Sequence, residues 1–370
     1  GRTHTFLGMN MTFRDDGALE IETKSHIKEA IELFGADVST SVSSAATKNL
    51  FKINPDGTVL DEKRADIFHS VVAKLLWVEK RSRPDIETAI SFLMTRVSKS
   101  DEDDWLKLKR LLQFLNQTID DVRIIGADDL SQLFTWVDAS YAIHHDMRGH
   151  TGGAMSFGTG IIHGKASKQK LNTKSSTETE VVGASDYLPY NMWMQNFMDA
   201  QGYPLNKNTY YQDNQSAMRM ENNGRNSCTG NSRHIHIRYF FIKDQVDAKK
   251  LQIVYCPTRQ MLADYFTKPL QGFLFHFFRA VIMGWKHIDT LQDAFPSAPE
   301  ERVENMSVSG KDAKPPMTYA QAVRGSSSAR TKVVRFDPTV SGPTVKPLAT
   351  THSLKSLATT RSPVVDTSKI

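Results

Sequence analysis

Leu133-Phe134-Thr135-Trp136-Val137-Asp138 is a strand-like apolar run that ends on an acid. Working outward, residues 131–140, 152–158 and 160–167 read as three strands, the last two joined by the turn Gly158-Thr159-Gly160. Together they describe an antiparallel meander. The period then alternates: a long helix over roughly 175–200 with a kink expected at Pro189, a strand at 208–212, helices at 214–222 and 235–246, a strand at 251–256 and a helix at 259–267. Hairpin strands followed by helix-linked strands predict an α/β domain, a mixed sheet covered by helices.

Four acids fall at telling places in that pattern. Asp138 closes the first strand, and Asp213 follows Thr209-Tyr210-Tyr211-Gln212 and opens a helix. Glu180 lies in the long helix, and Asp264 begins a short helix after the strand Leu251-Gln252-Ile253-Val254-Tyr255. Residues at the carboxyl ends of central strands commonly build α/β active sites. Any one such acid is most often a solvated turn residue or a cap, but four gathered carboxylates repel one another unless cations lie between them, and hard oxygen ligands favour magnesium or manganese. Glu178 competes with Glu180; Glu180 shares a helical face with Ala184 and Leu188, whereas Glu178 points to solvent with Asp186.

The remaining features are less specific. Lys165, Lys168, Lys170 and Lys174 suit either phosphate contact or a soluble hairpin edge, and Ser175, Ser176 and Thr177 suit a helix cap that also meets a backbone. His234 and Arg238, four apart, suit a phosphate or a nearby carboxylate. His144, His145 and His150 read as loop residues without the spacing of a transition-metal site, and Met192, Trp193 and Phe197 read as core. Gly158-x-Gly160 is a turn and not a nucleotide loop, and the Asp pairs at 15/16, 103/104, 120/121 and 128/129 lack the Tyr-x-Asp-Asp context of a polymerase site.

Upstream, Met9-Asn10-Met11-Thr12-Phe13 and Ala18-Leu19-Glu20-Ile21-Glu22 flank Arg14-Asp15-Asp16-Gly17 as a β-hairpin. Ser25 is placed to cap a helix through Ile27, Ala30, Ile31 and Leu33 that ends at Gly35; residues 36–60 are irregular, and helices follow at about 65–78, 84–97 and 102–115. This hairpin-plus-helices subdomain ends near residue 125. A chain of 370 residues has room for two or three domains. Two cysteines, Cys228 and Cys256, are too few for a disulfide framework or a zinc finger and point to a reducing compartment. No apolar run approaches the roughly 20 residues that span a bilayer. The start lacks an initiator methionine and a secretory signal, and Thr5-Phe6-Leu7-Gly8 reads as mid-strand, as in the downstream piece of a larger product. Net charge is +5, and residues 296–370 hold 11 Lys/Arg against 6 Asp/Glu, so the excess lies in a Ser/Thr/Pro-rich tail expected to be disordered. Any nucleic-acid binding by the body must then rest on local patches.

Five segments occur in order: Trp136-Val137-Asp138-Ala139-Ser140, Lys168-Gln169-Lys170, Ser175-Ser176-Thr177-Glu178-Thr179-Glu180, Asp213-Asn214-Gln215-Ser216-Ala217 and Ala263-Asp264-Tyr265-Phe266-Thr267-Lys268-Pro269-Leu270. With Phe6-Leu7-Gly8-Met9 and Arg83-Pro84-Asp85-Ile86 further upstream, the chain over roughly residues 5–285 resembles the C-terminal part of a copia-type retrotransposon Pol polyprotein. The resemblance implies the end of a reverse transcriptase and its connection over 1–125, a ribonuclease H-like domain with a mixed five-stranded sheet over 130–285, and a basic tail over 296–370. It implies two-metal hydrolysis of the RNA strand of an RNA:DNA hybrid, with Mg²⁺ or Mn²⁺ held by Asp138, Glu180, Asp213 and Asp264, Glu180 toward the leaving group and Asp264 toward the attacking water. Lys168, Gln169, Lys170, Ser175, Ser176, Thr177, Asn214, Gln215, His234 and Arg238 would meet nucleic acid. The polymerase site would lie upstream in the same polyprotein, with no membrane partner, in a cytoplasmic virus-like particle or the nucleus. Two departures stand out: His236 where the family often has Asp, and a tail with no counterpart. A catalytically inactive remnant or a domesticated nucleic-acid-binding module is the alternative.

Overall fold

Leu133 and Val137 pack into one apolar cluster and Trp136 into another, with Phe134 against the second, so the strand that carries Asp138 is covered on both faces. The computed structural model describes residues 2–224 and 236–295. Its strands are β1 (Thr3–Phe6), β2 (Met9–Phe13), β3 (Leu19–Glu22), β4 (Arg123–Ala127), β5 (Gln132–Ser140), β6 (His150–Ser156), β7 (Gly158–Thr159), β8 (His163–Lys168), β9 (Lys207–Gln212) and β10 (Gln252–Tyr255). Its helices are α1 (Lys24–Phe34), α2 (Glu62–Arg81), α3 (Glu87–Met94), α4 (Glu102–Gln117), α5 (Ser176–Ala200), α6 (Gln215–Asn223), α7 (His236–Asp247), α8 (Asp264–Thr267), α9 (Gly272–Ile282) and α10 (Thr290–Ala294).

The fold is α/β with two five-stranded sheets. The second is mixed and runs β10-β9-β5-β6-β8, with β10, β9 and β5 parallel and β6 and β8 antiparallel. Parallel β5 and β9 bring the ends that bear Asp138 and Asp213 side by side. Helix α5 covers the face of Leu133, Val137 and Tyr210; α3, α8 and α9 pack toward that of Trp136, Tyr211 and Val254. Adjacent glycines in β6 admit both layers closely: a Cβ on Gly153 would strike the Tyr187 ring of α5, and one on Gly152 would strike Thr267 and the Ala263 carbonyl. Gly152 lies directly across from Asp138, so this approach brings the Thr267 end of α8 to that acid.

The first sheet, β1-β2-β3-β4-β7, is antiparallel throughout. It corrects several expectations. Leu7 and Gly8 both have positive φ and turn the chain between β1 and β2, so Thr5-Phe6-Leu7-Gly8 is a strand end and a turn, not mid-strand. Thr23, not Ser25, is the N-cap of α1, and its hydroxyl pairs with that of Ser82. Strand β4 was not anticipated. Gly158-Thr159 is more than a turn, because it forms a two-residue strand on β4 that stitches the two sheets together. The expected helix at 259–267 is a 3₁₀ turn, Thr258–Gln260, followed by α8, and α9 and α10 extend the structure beyond the predicted pattern.

One apolar cluster runs from Ile27 in α1 through α2, α3 and α4 to Trp136, Phe266 and Leu291, so residues on both sides of 125–130 share a core. Polar contacts follow the same path. Glu87 Oε1 accepts the Ala166 amide of edge strand β8 at 2.8 Å and the Lys80 ammonium at 2.8 Å, closing a sheet edge that would otherwise be open. Thr88 donates to the Tyr265 carbonyl at 2.6 Å, and Tyr265 donates back to the Asp85 carbonyl at 2.9 Å. The upstream helices thereby grip the α8 segment. Among the described residues no helix is long and apolar enough to cross a membrane. The 296–370 tail lies outside the described residues.

Candidate metal centre

Asp138, Glu180 and Asp213 each present a carboxylate oxygen, all within 4.8 Å of one another. Three separate elements deliver them, and local chemistry sets each one. Asp138 is 3% exposed at the end of β5, and its Oδ2 accepts the Thr267 hydroxyl. Ser175 N-caps α5 by accepting the Glu178 amide at 3.2 Å, while Glu178 Oε2 accepts the Lys174 amide at 2.7 Å. That cap uses Glu178 at the helix start and turns Glu180 toward the sheet, where it is 6% exposed and accepts the Ala139 amide at 3.1 Å. The choice of Glu180 over Glu178 as the inward acid agrees with this geometry. Asp213 follows β9; Gln212 Oε1 takes its amide at 2.9 Å, and the Thr258 hydroxyl donates to its Oδ2 at 3.0 Å.

Asp264, in α8, stands beside the three but is not one of the mutually close set. Its Oδ1 is 2.7 Å from Lys268 Nζ, which is also 3.7 Å from Asp138 Oδ2. Burial pushes the Glu180 carboxyl well above its ordinary range, and the charges of Asp138, Asp213 and Glu221 push further. Burial and Asp138 likewise raise Asp213 and Asp264. Burial pulls Lys268 downward, but Asp138 and Asp264 outweigh it and hold the ammonium charged. An oxygen-only donor set of clustered, strained carboxylates fits a hard divalent cation, so this triad can hold a metal ion.

Several contributors escaped the sequence reading. Thr258, Thr267 and Lys268 orient or neutralise the acids, and Glu221 on α6 lies fully buried behind them. Among the described residues neither Glu221 carboxylate oxygen has a hydrogen-bond partner, and burial pushes its pKa up to about 8. Its spacing from Ala217 and Met218 on the buried face was the available signal.

The residues expected to meet nucleic acid are spread differently. Lys170, Ser175, Ser176 and Gln215 are exposed, and Thr177 is half-buried. Lys168 pairs with Asp146 at 2.7 Å, Asn214 N-caps α6, and Arg238 pairs with Asp186, the carboxylate option of the two open for it. Gln169 is 2% exposed and donates to Thr151 Oγ1 and the Thr179 carbonyl at 3.1 and 3.0 Å, tying the first turn of α5 to β6. His234 lies outside the described residues. Two readings are corrected. Trp193 and Phe197 are 61% and 44% exposed and stack on one another, because they sit on the outer face of α5. His150 is a buried strand residue, not a loop residue, and its Nδ1 lies 3.0 Å from Nε2 of buried His144.

No family model matches the chain. The retrovirus-related Pol polyprotein from transposon TNT 1-94 of Nicotiana tabacum is 27% identical over 276 residues, covering 72% of this chain and 20% of the relative. Those from transposons RE2 and RE1 of Arabidopsis thaliana are each 29% identical, over 53% and 54% of this chain and 14% of their own lengths. The chain thus spans a fifth or less of the polyproteins it matches. Its homologues are retrovirus-related Pol polyproteins from plant copia-type transposons.

Proposed function

We propose that this chain contains the ribonuclease H of a copia-type retroelement and hydrolyses the RNA strand of RNA:DNA hybrids during reverse transcription. The observation that carries the reading is the meeting of Asp138, Glu180 and Asp213 from three separate elements, oxygens within 4.8 Å, at the end of parallel strands. The mixed order β10-β9-β5-β6-β8, backed by α5, is compatible with a ribonuclease H-like domain over 130–285. Residues 1–125 would be the end of the reverse transcriptase and its connection, with the polymerase site upstream in the same polyprotein. The setting would be a cytoplasmic virus-like particle or the nucleus.

Asp138, Glu180, Asp213 and Asp264 would hold two divalent ions, Mg²⁺ or Mn²⁺, which when bound supply activation of water and stabilisation of the departing 3′-oxygen. The chain's own part is orientation. Thr267 and Thr258 hold the Asp138 and Asp213 carboxylates from outside, and the Ala139 amide holds Glu180 from within. Lys170, Ser176 and Gln215 are exposed and would meet the hybrid backbone.

The test is cleavage of an end-labelled hybrid by the full chain with Mg²⁺. We expect RNA products with 5′-phosphate and 3′-hydroxyl ends, and none from Asp213→Asn with its circular dichroism unchanged. Equal cleavage by that variant would sink the assignment, and hybrid retained without turnover would point to a binding remnant instead.

A further inference from the structure

We infer that Lys268 is the resident cation of the Asp138–Asp264 half of the site and sets how many divalent ions the chain takes up. The inference rests on the nuclease reading for the identity of the competing ions. With the ammonium in place the triad accepts one ion, and a second enters only as Lys268 swings away.

The backbone explains why this lysine lies there. Pro269 disfavours helical geometry at the residue before it, and Lys268 is extended, with φ −130° and ψ 135°. Helix α8 therefore stops after a single turn, with the Lys268 amide closing on the Asp264 carbonyl at 3.0 Å. A four-residue step then carries the side chain back over Asp264, whose Oδ1 it meets at 2.7 Å, with Asp138 Oδ2 at 3.7 Å. Thr267 donates to that same Asp138 oxygen, so two neighbours on one short segment serve the acid. The ammonium therefore occupies space between two of the four proposed ligands. Asp213 and Glu180 have no such cation among their described contacts. The lysine side chain is 42% exposed, which leaves it a route to solvent.

Mn²⁺ binding to the full chain without nucleic acid, read by calorimetry and by the resonance signal of free Mn²⁺, tests this. We expect one ion per wild-type chain, two for Lys268→Met, one for Lys268→Arg, and loss of the wild-type ion in Asp213→Asn. Two ions on the wild type, or one on Lys268→Met with unchanged affinity, would overturn the lysine's role and leave the nuclease reading standing. Undiminished binding in Asp213→Asn would instead overturn the triad, and with it both readings. A measurement on the wild type covers the case of an unfolded variant. Acylation of the Lys268 amine, followed by mass spectrometry, should rise several-fold at saturating Mn²⁺, and an unchanged or lower rate refutes displacement.

Discussion

Arg83, Asp85 and Arg279 form one buried cluster of charge with half-buried Asp121 at its rim, and Asp138, Glu180 and Asp213 form another; the first is balanced and the second is not. Asp85 receives Arg83 Nε and Nη2 at 2.9 Å each and Arg279 Nε at 2.8 Å. Burial alone would raise its carboxyl, but the two guanidinium groups override that and hold it down to about 2. In the triad, burial and like charge act in the same direction and push Glu180 and Asp213 up. Buried acids whose cations are built into the chain serve the scaffold. Buried acids left short of cations can hold one from outside.

The sharpest way to break this contrast is to neutralise one acid in each cluster. Asp138→Asn should cut hybrid cleavage on the order of a thousandfold or more while leaving the metal-free protein as stable as before or more so, because a repulsion is removed. Asp85→Asn should do the reverse, costing about 3–5 kcal/mol in urea unfolding because Arg83 and Arg279 lose their shared partner. A stability loss of that size in Asp138→Asn would erase the distinction.

Acid and base should separate the clusters next. Glu221 is raised from 4.5 to about 8, so its folded state favours the neutral acid, and stability falls as pH rises from about 4.5 to about 8. The advantage of Glu221→Gln over wild type should grow across that window by at most about 1.4 kcal/mol per pH unit. Asp85 is lowered, so its contribution is present above the ordinary aspartate range and is lost as pH falls toward about 2. Parallel pH–stability curves for Glu221→Gln and wild type would contradict a carboxyl held neutral by burial. The smallest expected effect is at the joint between the clusters. Thr88→Val removes the bond to the Tyr265 carbonyl and should cost about 1 kcal/mol, with a modest fall in cleavage from a looser α8.

Local pattern carried much of this architecture. The run into Asp138, the meander after it and the strand before Asp213 are strong period-two or apolar signals, and the Ser175 cap sets the phase that turns Glu180 inward. Some of the failures trace to a partner distant in sequence. β4 forms because Leu19 to Ile21 lie beside it, and Gly158-Thr159 becomes a strand because β4 is there to receive it. Trp193 and Phe197 look like core by composition, yet the second half of α5 is buried along one side, where Asn191 and Met198 lie, and the two rings stand on the other.

The sequence by itself determined where acids punctuate strands and helices, because alternation, caps and prolines act over a few residues. Only the tertiary structure decided which acids share space, which is neutralised by Lys268 and which, like Glu221, is buried with no partner among the described residues. Charge balance depends on distances between segments far apart along the chain, and packing alone sets those distances.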